Sequence, residues 1–170
     1  MRILSPLSLV LLSFACSDGG SGAAASSARL DGFVSAKAEA ESVTVLEARR
    51  DARAGSEVVV RGRVKDFVTN AAAFVLIDES LRACSDEGDP MEDSCTTPWD
   101  YCCIPSNEVA AACALVEFRD DQGLILEPIA GLRGLDHLDT VIVRGVAEVD
   151  ADKNLRIAAR SFAFTPNRKR

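Results

Sequence analysis

Cys84, Cys95, Cys102 and Cys103 share one stretch of the chain, spaced C-x10-C-x6-C-C. Thiols in such a cluster support two chemistries, pairing with one another or ligating a metal. Four cysteines allow three pairings, and a bond between the adjacent Cys102 and Cys103 is strained. The expected disulfides therefore join Cys84 and Cys95 to Cys102 and Cys103, in one of two orders. Each closed loop of this size stabilises by about 3 kcal/mol. The alternative is four thiolates holding Zn or an iron–sulfur cluster. Zinc sites usually present C-x2–4-C pairs, which this spacing lacks, so disulfides are the leading expectation and no cofactor is expected.

The same stretch carries the sole Trp and the sole Tyr, Trp99 and Tyr101, on either side of Asp100. These three form a candidate binding surface; the aromatic pair is also suited to packing the stretch onto the rest of the fold. Residues 79–108 hold eight acids and one base, Arg82, a net of −7 that equals the charge of the whole chain. The acids do not follow the alternate-oxygen register of a calcium loop, so a solvated acidic loop is expected. A structureless excursion this long is uncommon in a compact domain unless it is tied down or functional.

Other reactive side chains are scarce. Cys113 lies between two alanines and is expected to be a buried, inert thiol. The one histidine, His137, lies in a loop and is expected to be exposed. A thiol or hydroxyl nucleophile needs a base beside it, and a single His with no motif around it does not supply one. No Gly-rich loop carries the Lys-Ser/Thr of a phosphate site. A non-catalytic role is the expectation, with no catalytic residues.

The elements that position these groups read as strands. In 56–67 (SEVVVRGRVKDF), Val58, Val60, Gly62 and Val64 fall on one parity and Arg61, Arg63 and Lys65 on the other. Period-two alternation of β-branched residues predicts a strand with one buried face. Its basic parity is a second candidate binding surface, and Gly62 predicts a bulge or bend. Further strands are predicted over 71–77, 113–119, 140–149 and 154–164, with a short extra one at 124–127 and a turn or single helical turn within 128–139. Thr44 and Glu47 form a capping box, with Gly55 as a stop signal, so a helix is predicted over 45–53.

Two segments share a β-run broken by Arg-Gly: 58–64 (VVVRGRV) and 141–147 (VIVRGVA). Five short strands, Gly in the first and fourth, and an Asp closing the second (Phe74-Val75-Leu76-Ile77-Asp78) resemble the OB-fold. The resemblance spans about 110 residues. It implies an all-β, five-stranded barrel, here with a short N-terminal helix and a long Cys-rich loop between strands two and three. Well-known members bind single-stranded nucleic acid on basic and aromatic side chains. Phe67, Phe74 and Phe118 sit among valines and read as core, so nucleic acid is not the expected partner. A second exported OB family, the haem chaperones of cytochrome c maturation, attaches haem through a His followed closely by a Tyr near the C-terminus. The tail TPNRKR has neither residue.

Residues 1–15 (MRILSPLSLVLLSFA) place a short positive start before an apolar run too short to span a bilayer, the pattern of a secretory signal. The run ends Leu12-Ser13-Phe14-Ala15-Cys16, which resembles the lipobox of bacterial lipoproteins. Ser13 and Phe14 stand where Leu and a small residue are commoner. The resemblance implies cleavage before Cys16, lipidation of Cys16, and anchoring on the periplasmic or extracellular side of the envelope. The Gly/Ser/Ala run at 17–27 then reads as a flexible tether. The organisation expected is a signal peptide at 1–15, a tether at 16–42, a barrel at 43–165 with its acidic insert at 79–111, and a basic tail at 166–170. At 170 residues and 48 % hydrophobic content, the chain holds one domain that can bury a core. The expected partners are the membrane, through the anchor, and a protein, glycan or small molecule.

Overall fold

The structure is a computed structural model that describes residues 28–37, 41–86 and 97–167. The expected signal peptide and lipidated Cys16, the expected tether through residue 27 and at 38–40, Cys95, the acids at 87–93 and the last three basic residues lie outside the described residues.

Strand β1 (Val43–Thr44) leads directly into helix α1 (Val45–Asp51). The predicted capping box is present: Glu47 N–H donates to Thr44 Oγ1 at 3.2 Å, and Thr44 N–H donates to Glu47 Oε2 at 2.8 Å. The helix ends two residues short of the predicted end at residue 53. Its apolar face is narrow, with Val45 and Ala48 buried.

Strands β2 (Glu57–Phe67) and β3 (Ala73–Ile77) form an antiparallel pair. The excursion after β3 contains helix α2 (Ser106–Ala111) and returns into β4 (Cys113–Asp120). A two-residue β5 (Gly123–Leu124) folds back on β4. A 3-10 turn (Leu132–Gly134) precedes β6 (Thr140–Val149), and β7 (Leu155–Thr165) follows. β6 pairs with β7 and also with β2, while β7 runs parallel to β4. The ring β2-β3-β4-β7-β6 is thereby closed, and closure removes the free strand edges. With its parallel third and fifth barrel strands, this is the small all-β, OB-like barrel that the five-strand pattern implied.

Alternation along β2 puts Val60, Gly62 and Val64 inside, and β6 puts Val141, Val143, Gly145 and Ala147 inside. Phe74, Phe118 and Phe162 are buried at the centre, with ring centroids 5.1–6.4 Å apart. Of the bulge or bend predicted at Gly62, the bulge is not there. The β2–β3 register shifts between Val64 and Asp66 instead. Gly62 answers a different need, close approach: a Cβ built on it would stand 2.5 Å from the Ile77 carbonyl oxygen and 2.8 Å from Leu76 Cγ. Gly145 holds the matching position in β6, where a Cβ would collide with the Ala158 carbonyl.

Residues 30–35, expected within the tether over 16–42, are instead packed on the barrel. Leu30 is 2 % exposed within the core, and the Phe33 ring meets Phe118 edge-on at 5.2 Å. Phe162 N–H donates to Phe33 O, and Ser35 N–H donates to Phe162 O. Leu30, Phe33 and Val34 supply enough apolar surface to order this short strap against β7.

Candidate functional site

The candidate site is the outer face of β2 together with the placed parts of the insert. These parts have a core of their own. Ile77, Ala83, Tyr101, Ala112 and Leu138 are buried together, flanked by Leu81, Trp99, Ile104, Val109 and Cys113. Cys84 N–H donates to Asp100 O at 2.9 Å and Ser85 N–H to Pro98 O at 2.8 Å, so the two ends of the insert are joined by backbone.

Electrostatics fix this unit to the barrel. Arg61 Nε lies 2.8 Å from Glu79 Oε2. Arg63 makes a two-pronged pair with Asp86, both contacts at 3.0 Å, and donates to the Leu81 carbonyl. Its guanidinium carbon stands 5.7 Å from the Tyr101 ring centroid. Lys65 pairs with Asp66 and lies 3.4 Å from Asp100. Burial works against the Asp86 charge, and the Arg63 guanidinium outweighs it, holding the carboxyl below its ordinary value. Burial likewise opposes the Arg63 charge, and Asp86 keeps it raised.

These contacts correct two expectations. Arg61, Arg63 and Lys65 are not an open cationic stripe, because three acids of the insert engage them; the basic parity of β2 and the acids of the loop serve each other. Tyr101 is not part of an exposed binding surface. It is 2 % exposed, and burial pushes its hydroxyl up to about 12. Of the Trp99-Asp100-Tyr101 set, Trp99 and Asp100 are half-buried.

His137 is also not an exposed loop residue. Its ring is packed between Phe67 and Trp99, with centroids 5.1 Å from each. The sequence placed these rings far apart, and only the return of the insert across β2 brings them together. Cys113 heads β4, half-buried, and burial pushes its thiol up.

Three of the four insert cysteines are placed. Cys84 Sγ lies 3.2 Å from Cys102 Sγ, and Cys102 Sγ lies 4.0 Å from Cys103 Sγ. All three sulfurs fall within 4.8 Å of one another. Cys84 is buried, while Cys102 and Cys103 are exposed. Hydrogen bonds first to Cys84 and then to Cys103 push the Cys102 thiol up to about 12. Such a set can pair or can surround one soft cation.

Across the barrel, Arg119 Nη1 lies 2.5 Å from Glu148 Oε1, and Arg119 also pairs with Glu117. Arg156 contacts both acids, at 3.3 and 3.4 Å. This is a satisfied surface network spanning β4, β6 and β7.

The topology defines the class: a small OB-like barrel elaborated by a clamped, cysteine-rich insert. The sequence matches no protein-family model, and no curated protein matches it. Among solved structures, the chain is similar to the hypothetical protein ygiW from E. coli, at 15 % identity over 74 % of this chain and 90 % of that one, TM-score 0.39. It is also similar to OBody AM1L10 bound to hen egg-white lysozyme, at 14 % identity over 77 % of this chain and 100 % of that one, TM-score 0.42. A third is the aspartyl tRNA synthetase from Entamoeba histolytica, at 11 % identity over 73 % of this chain and 21 % of that one, TM-score 0.42.

Proposed function

We propose that this protein is a lipid-anchored, extracytoplasmic OB-like binding domain without catalytic activity, and that its clamped insert is the functional surface. The observation that supports the reading is the triple engagement of β2 by the insert through Glu79, Asp86 and Asp100. Held this way, the described groups of the insert stand in a fixed arrangement, which lowers the ordering cost of binding. The partner is a protein, glycan or small molecule. Nucleic acid is not proposed, since the cations of β2 are already engaged by acids of the same chain. The non-catalytic reading is supported by His137, whose ring is packed between two aromatic rings.

Metabolic labelling with a radioactive fatty acid tests the anchor in cells producing the full chain. Label is expected in the envelope fraction on the wild-type protein and absent from Cys16→Ser. Equal label on both proteins sinks the lipoprotein reading.

A further inference from the structure

We propose that Cys84, Cys102 and Cys103 form a three-thiolate site for one soft, thiophilic metal cation of the Cu(I) or Zn(II) type.

The geometry carries this. At a metal–sulfur distance of about 2.3 Å, two thiolates on one tetrahedral or trigonal centre stand roughly 3.8–4.0 Å apart. The Cys102–Cys103 separation is 4.0 Å, Cys84–Cys102 is 3.2 Å, and all three sulfurs lie within 4.8 Å of one another. Opening the Cys84–Cys102 separation by roughly 0.6–0.8 Å, with Cys103 already within reach, lets all three share one centre. Among the described residues this is the group of His, Cys, Asp and Glu side chains set closely enough to share an ion. It is also purely sulfur, the donor type that selects soft cations over Mg or Ca.

The sulfurs are held by a rigid surround. Backbone hydrogen bonds from Cys84 to Asp100 and from Ser85 to Pro98 fix the buried ligand against the segment bearing the other two. Ile104 N–H donates to Tyr101 O, turning the chain so that Cys102 and Cys103 face back toward Cys84. Tyr101 anchors that turn in the insert's core, and Asp86, tied to Arg63, accepts the Ala83 N–H one residue before Cys84. Ligands set on supports of this kind lose little freedom on binding. Binding displaces the thiol protons to solvent as each sulfur lone pair forms a metal bond, and no electrons change hands.

The test uses the full chain, purified anaerobically under reductant, stripped of metal, and titrated separately with Zn(II) and with Cu(I) against a competing chelator. One equivalent of at least one ion should bind, with an ultraviolet thiolate-to-metal charge-transfer band in the Cu(I) arm. Cys102→Ser and Cys103→Ser alter exposed side chains and should each weaken binding at least tenfold while the far-ultraviolet circular dichroism stays unchanged. Cys84→Ser should do the same if folded, and Cys113→Ser should bind as the wild type does. Binding of neither ion, or affinity unchanged in the Cys102 and Cys103 variants, overturns the site. So does a disulfide from Cys84 to Cys102 or Cys103 in protein acid-trapped and alkylated directly from producing cells. The titration reads the same whether or not Cys16 is acylated, so its failure is distinct from failure of the anchor.

Discussion

Leu46 N–H donates to the carboxylate of Asp78 at 2.9 Å, so the residue closing β3 caps the first turn of α1 from across the fold. Asp78 also accepts from Ser80 N–H and Ser80 Oγ, and it is 3 % exposed. Thr44 serves the next free amide, at Glu47, and the two caps together anchor the helix to the barrel.

Asp78→Ala is expected to cost about 1–3 kcal/mol, since it strands part-buried donors that now meet a charge. Burial raises the Asp78 carboxyl, and its hydrogen bonds outweigh burial and lower it below the ordinary value. Asp86 behaves alike under its bond to Arg63. Carboxyls lowered in the folded state contribute stability above the unfolded value of about 3.9 and lose it as pH falls through their folded values. Urea midpoints measured from pH 7 to pH 2 should therefore fall steeply below about pH 4. The Asp78→Asn/Asp86→Asn double variant should show a shallower fall, and matching slopes would refute the assignment.

Gly62→Ala and Gly145→Ala should each destabilise by at least about 1–3 kcal/mol, the usual range for overpacking. The obstacles are the carbonyls of Ile77 and Ala158, which are backbone and cannot rotate away. Alanine at Gly55 meets no such atom, though its positive φ adds a smaller strain. Chemical denaturation should rank the Gly62 and Gly145 variants below the Gly55 variant.

Arg63→Ala should release the insert while leaving the barrel folded. It removes the pair to Asp86, the bond to Leu81 O and the contact with Tyr101. Trp99 is the sole Trp, so its emission reports insert docking directly. A red shift and faster proteolysis within 78–112 are expected, with far-ultraviolet circular dichroism retained. Unchanged emission would mean that the insert holds without Arg63.

Leu30→Ala should cost about 2–5 kcal/mol, the range for a large-to-small change in a core. A residue in a tether would cost nothing measurable. Thermal unfolding of the full-length variant decides between the two.

The barrel was legible because its cues are local. Alternation in 57–67 and 140–149 needs only the strand's own period, and the capping box needs only Thr44 and Glu47. The site was far less legible. The acids of the insert read as a solvated face because their partners, Arg61, Arg63 and Lys65, lie on another element, and nothing in either segment names the other. β1 is two residues long and parallel, too short to show a period. α2 has no side-chain cap, with Pro105 at its start. The strap around Leu30 follows a Gly/Ser/Ala run and shares its bland composition. Gly62 was correctly singled out but for a different geometry, because a glycine in a strand signals a bulge and a close neighbour alike.

Closure of the ring through β2 and β6 also sets an order of events during synthesis. Val60 pairs with Val143, more than eighty residues later. At roughly 5–20 residues per second, β2 waits on the order of 4–16 s for that partner to be made. For that interval a valine-rich edge is open to pairing with another nascent chain. Arg61 and Arg63 interrupt the valine-rich run, and like charges facing across two copies disfavour their pairing. The arginines that clamp the insert thus serve also as gatekeepers against co-aggregation.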